Sequence, residues 1–366
     1  MDIAVLTSSR ADFGIYLPLL KLLNQDSFFN LEIIAFGTHL SKFHGYTLNQ
    51  IEQHDFKEIH KISSLLTNDD EASISTSYAL TALKFADFWE SHRYDWVLCL
   101  GDRFEMAAAV QAGIPFGVKF AHLHGGETTL GAIDNIYRHQ ISLASQLHFP
   151  ATETFAKRIE EITDFTNSIY TVGSLSIDEL KAMPIPAEEK FRKEYHIQGD
   201  FALLTFHPET VALKNNQAFA NEMRIALEEI SKDIKLVITM PNADTFGTIY
   251  RKAIFELKEK NPAQVIIIEN FGKLNYFAAM LYCKLLIGNT SSGIIEAASF
   301  GKYVVNVGDR QKGRIQSGNI INCAFNALEI RQSVKRILKL PPFTGSNIYH
   351  KAGTADTIIE ILKKSL

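Results

Sequence analysis

Short apolar segments recur along the first half of the chain at the lengths of buried β-strands. Segments with helical periodicity lie between most of them, at residues 75–92 and 134–146. The strand-like runs are continuous rather than alternating, which is typical of a sheet covered by helices on both faces. The pattern predicts a doubly wound parallel sheet, with strands at residues 3–6, 31–36, 96–100, 118–123 and 169–172.

The alternation of strand-like and helix-like segments begins again after a charged, proline-containing stretch at residues 183–199. A second α/β domain of the same kind is therefore expected. We place the domains at residues 1–178 and 179–345, and treat 346–366 as a C-terminal segment whose helix is too short to stand alone. The strands predicted in the second domain lie at residues 201–206, 236–240, 265–268, 285–287 and 303–307.

The composition of the chain disfavours several classes of protein. The 366 residues carry a formal net charge of −4 without a long run of like charge, which disfavours a general binder of nucleic acid or anionic membranes. Cys99, Cys283 and Cys323 lie far apart, without zinc spacing or an even number for disulfides, and predict buried thiols. Because no signal peptide or membrane-spanning stretch is visible, we expect a cytoplasmic protein.

Ligands bind parallel α/β sheets beyond the carboxyl ends of their strands, so polar residues at these points are the first candidates. Asp102, Glu127 and Asp134 are expected to follow successive strands of the first sheet. Individually, Asp102 can be a helix cap, and Asp134 can form an exposed ion pair with Arg138 four residues later. Together the three carboxylates predict one acid–base site, because neighbouring carboxylates separate in pKa and divide these roles.

Two other readings of the first half carry less weight. His122 and His124 would share one face of a strand, but no further ligand lies at metal spacing, and no metal site is expected. Arg10 follows the first strand and is either an anion contact or a surface arginine of a capped loop. The chain lacks a Gly-x-Gly-x-x-Gly dinucleotide fingerprint there.

In the second half, residues 288–293 form a strand end, a turn of small hydroxyl residues and a helix start, which suits a phosphate. Glu296, about one and a half turns into that helix, could bind a ribose diol. His207 and the basic residues at 310–314 also follow strands, and Phe271 could stack on a base. Each has an alternative. The 288–293 turn could be only a hydroxyl-rich cap with an incidental Glu296, and His207 could be structural. The basic residues at 310–314 could form a solvated loop, and Phe271 could pack in the core.

The combination resembles the UDP-N-acetylglucosamine 2-epimerase family, in order and over essentially the whole chain. The resemblance is closer to the hydrolysing branch, because the Arg-Pro-Glu and Thr-Glu-Arg-Pro-Glu of the other branch are absent. The residues that carry it are Ser9-Arg10-Ala11-Asp12, Gly101-Asp102-Arg103, Gly125-Gly126-Glu127, Ile133-Asp134, Arg138-His139, His207-Pro208, Gly288-Asn289-Thr290-Ser291-Ser292-Gly293 and Arg310-Gln311-Lys312-Gly313-Arg314.

The resemblance implies a fold like that of B-type glycosyltransferases, with two Rossmann-like domains facing a cleft and a C-terminal helix crossing back to the first. It implies release of UDP and N-acetylmannosamine through a 2-acetamidoglucal, for sialic or nonulosonic acid synthesis, without a metal or redox cofactor. Asp102, Glu127 and Asp134 would be the acid–base groups, with Arg138 positioning them. The UDP-binding set would be Arg10, Arg103, His207, Asn242, Phe271, Thr290, Ser291, Ser292, Glu296 and Arg314.

Three alternatives stay open. The substrate could instead be a UDP-2,4-diacetamido-2,4,6-trideoxyglucose of the legionaminic acid type. A B-type glycosyltransferase would share the fold but should lack the three carboxylates, and a nucleotide-sugar sensor would bind without turnover. The expected partners are the UDP-sugar and further copies of the chain, in a homodimer or homotetramer.

Overall fold

A computed structural model describes residues 1–68, 70–178, 180, 183–241 and 246–365 of the chain. The strands are β1 (Asp2–Thr7), β2 (Asn30–Phe36), β3 (Glu58–Ile62), β4 (Trp96–Leu100), β5 (Phe120–Leu123), β6 (Leu147–Phe149), β7 (Phe201–Thr205), β8 (Lys235–Thr239), β9 (Val265–Ile268), β10 (Leu285–Gly288), β11 (Val304–Val307) and β12 (Ile320–Cys323). The helices are α1 (Arg10–Gln25), α2 (Leu48–Glu52), α3 (Glu71–Ser91), α4 (Phe104–Gly113), α5 (Asp134–Ala144), α6 (Glu153–Thr163), α7 (Glu188–Glu194), α8 (Asn216–Ile230), α9 (Gly247–Lys260), α10 (Gly272–Tyr282), α11 (Ser291–Ile295), α12 (Ala327–Ile337) and α13 (Thr354–Lys364).

The chain divides into two compact units. The first unit comprises Met1–Glu127, Asp134–Glu179 and Tyr349–Leu366, and the second comprises Thr128–Ile133 and Leu180–Ile348. The units differ from the predicted domains in three respects, the smallest being that the boundary falls after residue 179 rather than after residue 178. The short segment that joins β5 to α5 belongs to the second unit, and the C-terminal segment that returns to the first unit begins at Tyr349 rather than at residue 346.

The first unit contains a six-stranded parallel sheet with strand order β3-β2-β1-β4-β5-β6. Its central strands are buried along their whole apolar length, as in β4, because helices cover both faces. Helices α1 and α13 pack on one face, and α3, α4 and α5 pack on the other. The strand order reverses direction between β1 and β4, which makes that position the switch point of the sheet.

The C-terminal helix α13 completes the core of the first unit. Ile358 and Leu362 are buried in the apolar cluster that also contains residues of α1. At the helix start, the Thr354 hydroxyl donates to the Val172 carbonyl at 2.6 Å, and the Ala355 N–H donates to Asp178 Oδ2 at 2.7 Å. The amphipathic helix therefore buries its apolar face against α1, as its pattern requires.

The second unit repeats the architecture with strand order β12-β11-β10-β7-β8-β9, again entirely parallel. Helices α8, α9 and α12 contribute to the core on one face, and α7 and α10 contribute on the other. The switch point lies between β7 and β10. The predicted fold class, two doubly wound Rossmann-like sheets with a C-terminal helix on the first, is confirmed.

The errors of the strand prediction lie at or beside the sheet edges. Strands β3, β6 and β12 were not predicted, and each is an edge strand. Strand β3 is partly exposed, and its sequence Glu-Ile-His-Lys-Ile lacks the continuous apolar run of a central strand. Strand β6 is buried but has only 3 residues, with a histidine at its centre. Residues 169–172 form no named strand and contribute one bridge, between Ile169 and His148. None of the described helices combines the length and apolarity needed to span a bilayer.

Candidate active site

Several of the predicted site residues follow the strands that border the two switch points. In the first unit, Arg10 begins α1 directly after β1, and Asp102 and Arg103 follow β4. In the second, His207 follows β7 and Thr290 follows β10. These are the positions where doubly wound sheets bind their ligands, because loops on the two sides of a switch point diverge and leave a crevice.

Asp102 and Arg138 form an ion pair at the end of β4. Arg138 Nη2 donates to Asp102 Oδ2, the Arg138 side chain is 2% exposed and that of Asp102 is 25% exposed. Arg138 thus binds a carboxylate at another strand end and is buried, so the alternative of an exposed ion pair with Asp134 is wrong. A buried charge without its partner costs free energy, so the Arg138 side chain stays paired with Asp102 and fixes the position of that carboxylate.

Arg103 lies beside this pair and binds a different carboxylate. Its Nε and Nη2 donate to the two Glu105 oxygens at 3.1 Å and 3.0 Å, and Glu105 is fully buried. This two-point contact is rigid, because the planar guanidinium matches a carboxylate in a single orientation. It positions the first turn of α4 immediately after Asp102.

His122 anchors the turn that carries Asp102. Its Nε2 lies 2.9 Å from the Gly101 carbonyl and its Nδ1 lies 3.0 Å from the Ser142 hydroxyl. Burial lowers the pKa of His122 to about 3, so the ring is neutral at physiological pH. Because a carbonyl only accepts, Nε2 carries the proton and Nδ1 accepts from Ser142. His122 is thereby committed to supporting the end of β4.

His124 and Glu127 form a second buried pair at the end of β5. His124 Nδ1 lies 2.9 Å from Glu127 Oε1, and the two side chains are 9% and 1% exposed. The strand ends at Leu123, and His124 has a φ of +60°, in the left-handed region. The expectation that His122 and His124 share one strand face is therefore wrong. Sequence reasoning missed this pair, because a spacing of three does not reveal a sharp turn.

Asp134 is the first residue of α5 and follows the same strand as Glu127, so the expectation of three successive strands is wrong. The segment between these two carboxylates, Thr128–Ile133, belongs to the second unit. There the Leu130 N–H donates to the Lys312 carbonyl at 2.9 Å. Glu127 and Asp134 are thus separated by a loop with its own tertiary contacts.

In the second unit, Asn289 joins three strand ends. Its side chain accepts from the His207 N–H at 2.7 Å and donates to the His207 carbonyl at 2.8 Å. The Asn289 carbonyl accepts from Gln311 Nε2 at 2.8 Å. Asn289 is fully buried and His207 is 6% exposed. The ends of β7, β10 and β11 are therefore held together by one asparagine whose role the sequence did not reveal.

The hydroxyl turn after β10 has its own local bonds. The Thr290 hydroxyl accepts from the Ser292 N–H as the N-cap of α11, and the Ser292 hydroxyl donates to Glu296. Helix α11 ends at Ile295, so Glu296 is its C-cap and does not lie inside a continuous helix as expected. Ser291 is exposed and Glu296 is 9% exposed. A short α11 gives this turn less dipole than predicted, and side chains must supply more of any ligand contact.

The two arginines of the basic loop after β11 make hydrogen bonds within the protein. Arg310 Nη1 donates to the Pro208 carbonyl and Arg314 Nη1 donates to Gln311 Oε1, both at 2.6 Å. Arg314 is 7% exposed. Glu209 accepts from the Asp309 N–H at 2.5 Å, and burial raises the pKa of Glu209. The solvated-loop alternative is therefore wrong for the two arginines, whereas Lys312 is 60% exposed.

Phe271 and Asn242 are also members of the predicted UDP-binding set. Phe271 is 6% exposed and lies against Phe191 and Tyr195, with ring centroids 5.7 Å and 4.6 Å away. This favours the alternative in which Phe271 packs in the core. Asn242 lies outside the described residues.

Two doubly wound sheets, with paired ionisable side chains at the strand ends of one and a hydroxyl turn with arginines at those of the other, define a class of two-domain α/β proteins. A model of the UDP-N-acetylglucosamine 2-epimerase family matches residues 21–363. The chain belongs to this family, as its motifs predicted.

Proteins similar in sequence to this chain include hydrolysing 2-epimerases. The chain is 35% identical over 331 residues to GDP/UDP-N,N'-diacetylbacillosamine 2-epimerase (hydrolyzing) of Campylobacter jejuni, which covers 89% of this chain and 85% of that protein. It is 32% identical over 364 residues to UDP-N,N'-diacetylbacillosamine 2-epimerase (hydrolyzing) of Legionella pneumophila, covering 99% and 95%. The crystal structure of UDP-GlcNAc 2-epimerase from Neisseria meningitidis bound to UDP-GlcNAc is similar with a TM-score of 0.84 at 18% identity, over 100% of both chains. That likeness establishes a common fold.

Proposed function

We propose that this enzyme is a hydrolysing 2-epimerase that converts UDP-N-acetylglucosamine to UDP and free N-acetylmannosamine. The observation that carries the proposal is the pairing of Asp102 with Arg138 and of His124 with Glu127 at adjacent strand ends of a family member. Inverting C2 requires proton transfer at both faces of that carbon. Two separately held acid–base groups meet this requirement.

In the first half-reaction, Asp102 takes the proton from C2. The C2–H electron pair forms the C1=C2 bond, and the C1–O bond breaks with its electron pair leaving on UDP. The product is a 2-acetamidoglucal. The ion pair with Arg138 orients the Asp102 carboxylate, and positioning of this kind accelerates proton transfer by lowering the entropic cost.

In the second half-reaction, water adds to the glycal. Its oxygen bonds to C1 and an acidic group delivers a proton to C2 from the opposite face. The proton that water loses restores that group, and Asp102 returns its own proton to solvent. We assign Glu127 and Asp134 to this half. No step changes an oxidation state, so residues of the chain suffice for the proton transfers.

The second unit would bind UDP. His207 follows β7 and Arg314 follows β11, on either side of β10, and both are held there by Asn289 and Gln311, which suits contact with a diphosphate. Glu296 lies at the end of the hydroxyl turn and would bind the ribose hydroxyls. Homodimer or homotetramer formation stays a prediction.

The purified enzyme should release UDP and a free manno-configured sugar without added metal or nicotinamide. In heavy water the product should carry deuterium at C2, because the C2 proton is exchanged through the enzyme. NMR of the released sugar measures both results. An undeuterated product, or an epimerised sugar still attached to UDP, would contradict the proposal.

The same assay separates the alternatives. UDP-N-acetylglucosamine and UDP-2,4-diacetamido-2,4,6-trideoxyglucose should be compared at equal concentrations, and faster turnover of the second would favour the alternative substrate. A B-type glycosyltransferase would need an acceptor, so acceptor-free formation of the manno sugar argues against it.

Replacing Glu296 by alanine should weaken UDP binding by about 1 to 3 kcal/mol, the loss expected for hydrogen bonds to a charged group. Calorimetric titration with UDP measures the change. Glu259→Ala, an exposed glutamate on α9, is the matched control and should bind UDP like the wild type. Equal UDP affinities in the two variants would remove Glu296 from the site.

A further inference from the structure

The His124–Glu127 pair has two features that a purely structural ion pair does not require. The first is backbone strain. His124 is held at a φ of +60°, and such conformations are costly for a residue with a side chain and persist where the surroundings enforce them. The strain aims the imidazole back at Glu127, three residues further along the chain.

The second feature is the other ring nitrogen. His124 Nδ1 contacts Glu127 Oε1 at 2.9 Å, whereas His124 Nε2 is buried and has no hydrogen-bond partner among the described residues. A buried polar atom without a partner costs free energy, so its place is explained if a ligand supplies the partner. His122 contrasts with it, because both of its ring nitrogens have partners within the protein.

A carboxylate behind one imidazole nitrogen defines what the other nitrogen can do. Glu127 is 1% exposed and accepts from Nδ1–H, which fixes the orientation and the tautomer of the ring. When Nε2 also carries a proton, the Glu127 carboxylate compensates the charge of the imidazolium. The proton on Nε2 is then the one available for transfer.

We propose that the imidazole of His124, rather than the carboxylate of Glu127, delivers the proton to C2 in the hydration half-reaction, with Glu127 as its positioning partner. The Nε2–H bond breaks as the C2–H bond forms, the electron pair of C1=C2 makes that bond, and water oxygen bonds to C1. The proton lost by water restores Nε2. This inference rests on the proposed function and assigns a residue that the site prediction omitted.

The test uses two variants of the full-length enzyme and two readouts, UDP release for elimination and free sugar for hydration. His124→Asn suits the strained position, because asparagine tolerates the left-handed region, and its amide can still donate to Glu127. It lacks Nε2. We expect UDP release within about tenfold of the wild type, glycal in place of sugar, and at least about a 10²-fold loss of sugar formation.

Glu127→Gln keeps an oxygen that accepts from Nδ1–H but removes the charge. We expect a smaller loss of sugar formation than in His124→Asn. The reverse order, with near-normal sugar formation in His124→Asn and none in Glu127→Gln, would make Glu127 the proton donor and overturn the proposal. Near-normal sugar formation in both variants would overturn it as well.

His124→Gly resolves the case of equal losses. Glycine accepts the backbone conformation and leaves space for a free imidazole. Added imidazole should restore sugar formation in this variant, and failure to do so with equal losses in the other two would contradict the proposal. His196→Asn is the matched control, since His196 is exposed and also has a positive φ, of +54°, and it should leave both readouts unchanged.

The outcome separates this inference from the proposed function. A wild-type enzyme that releases no UDP from either nucleotide sugar would overturn the proposed function, and this inference with it. An active wild type with an active His124→Asn variant would overturn this inference alone.

Discussion

Asp102→Asn should lower turnover by at least about 10²-fold and should block the reaction before any glycal forms. The amide keeps the size of the side chain and an oxygen for Arg138, but it cannot take a proton from C2. Because elimination precedes hydration, UDP release and sugar formation should fall together. Both are measured in one time course, by separating UDP, glycal and free sugar.

The amide variants of Glu127 and Asp134 test whether the loss of glycal formation is specific to Asp102. At least one of Glu127→Gln and Asp134→Asn should release glycal, because these residues are assigned to hydration. Asp87→Asn, an exposed aspartate on α3, is the matched control and should turn over normally. Near-normal turnover in the amide variants of Asp102, Glu127 and Asp134, in protein that still binds UDP, would return these residues to the capping and ion-pair roles.

Gly288→Ala should destabilise the second unit by at least about 3 kcal/mol. Gly288 is opposite Thr205 in the pairing of β10 with β7, and its φ is +145°. An added Cβ would lie 1.9 Å from the Thr205 carbonyl oxygen and 2.8 Å from its carbon, so the strands would have to separate at the switch point. The effect is measured as a shift of the urea denaturation midpoint, with UDP binding as the monitored signal.

Gly199→Ala is the matched control for this substitution. Gly199 also has a positive φ, of +73°, but an added Cβ there has no heavy atom within 4 Å. Only the backbone strain of a left-handed alanine applies, about 1 to 2 kcal/mol. If Gly288→Ala is no more destabilising than Gly199→Ala, the close approach of β10 to Thr205 is not a feature of the folded protein.

The local pattern of the sequence was sufficient for the fold class and for locating polar residues at the strand ends. Central strands such as β1 and β4 are buried on both faces, and this burial demands continuous apolar residues that are visible without a structure. Asp102, Glu127 and His207 could be selected because a parallel sheet brings the ends of its strands to one edge. The edge strands β3 and β12 were missed because exposure removes that demand. Strand β6 is buried, but it has only 3 residues and a histidine at its centre, too short a run to be recognised as a strand.

What the sequence by itself determined was therefore which residues stand at strand ends, since this follows from periodicity along the chain. Only the tertiary structure decided which of them pair. Arg138 binds Asp102, 36 residues away, and Asn289 binds His207, 82 residues away, because strand order places β4 beside β5 and β10 beside β7. His124, the residue directly after β5, turns toward Glu127 because it is left-handed, and no rule of spacing predicts that a histidine will adopt this conformation.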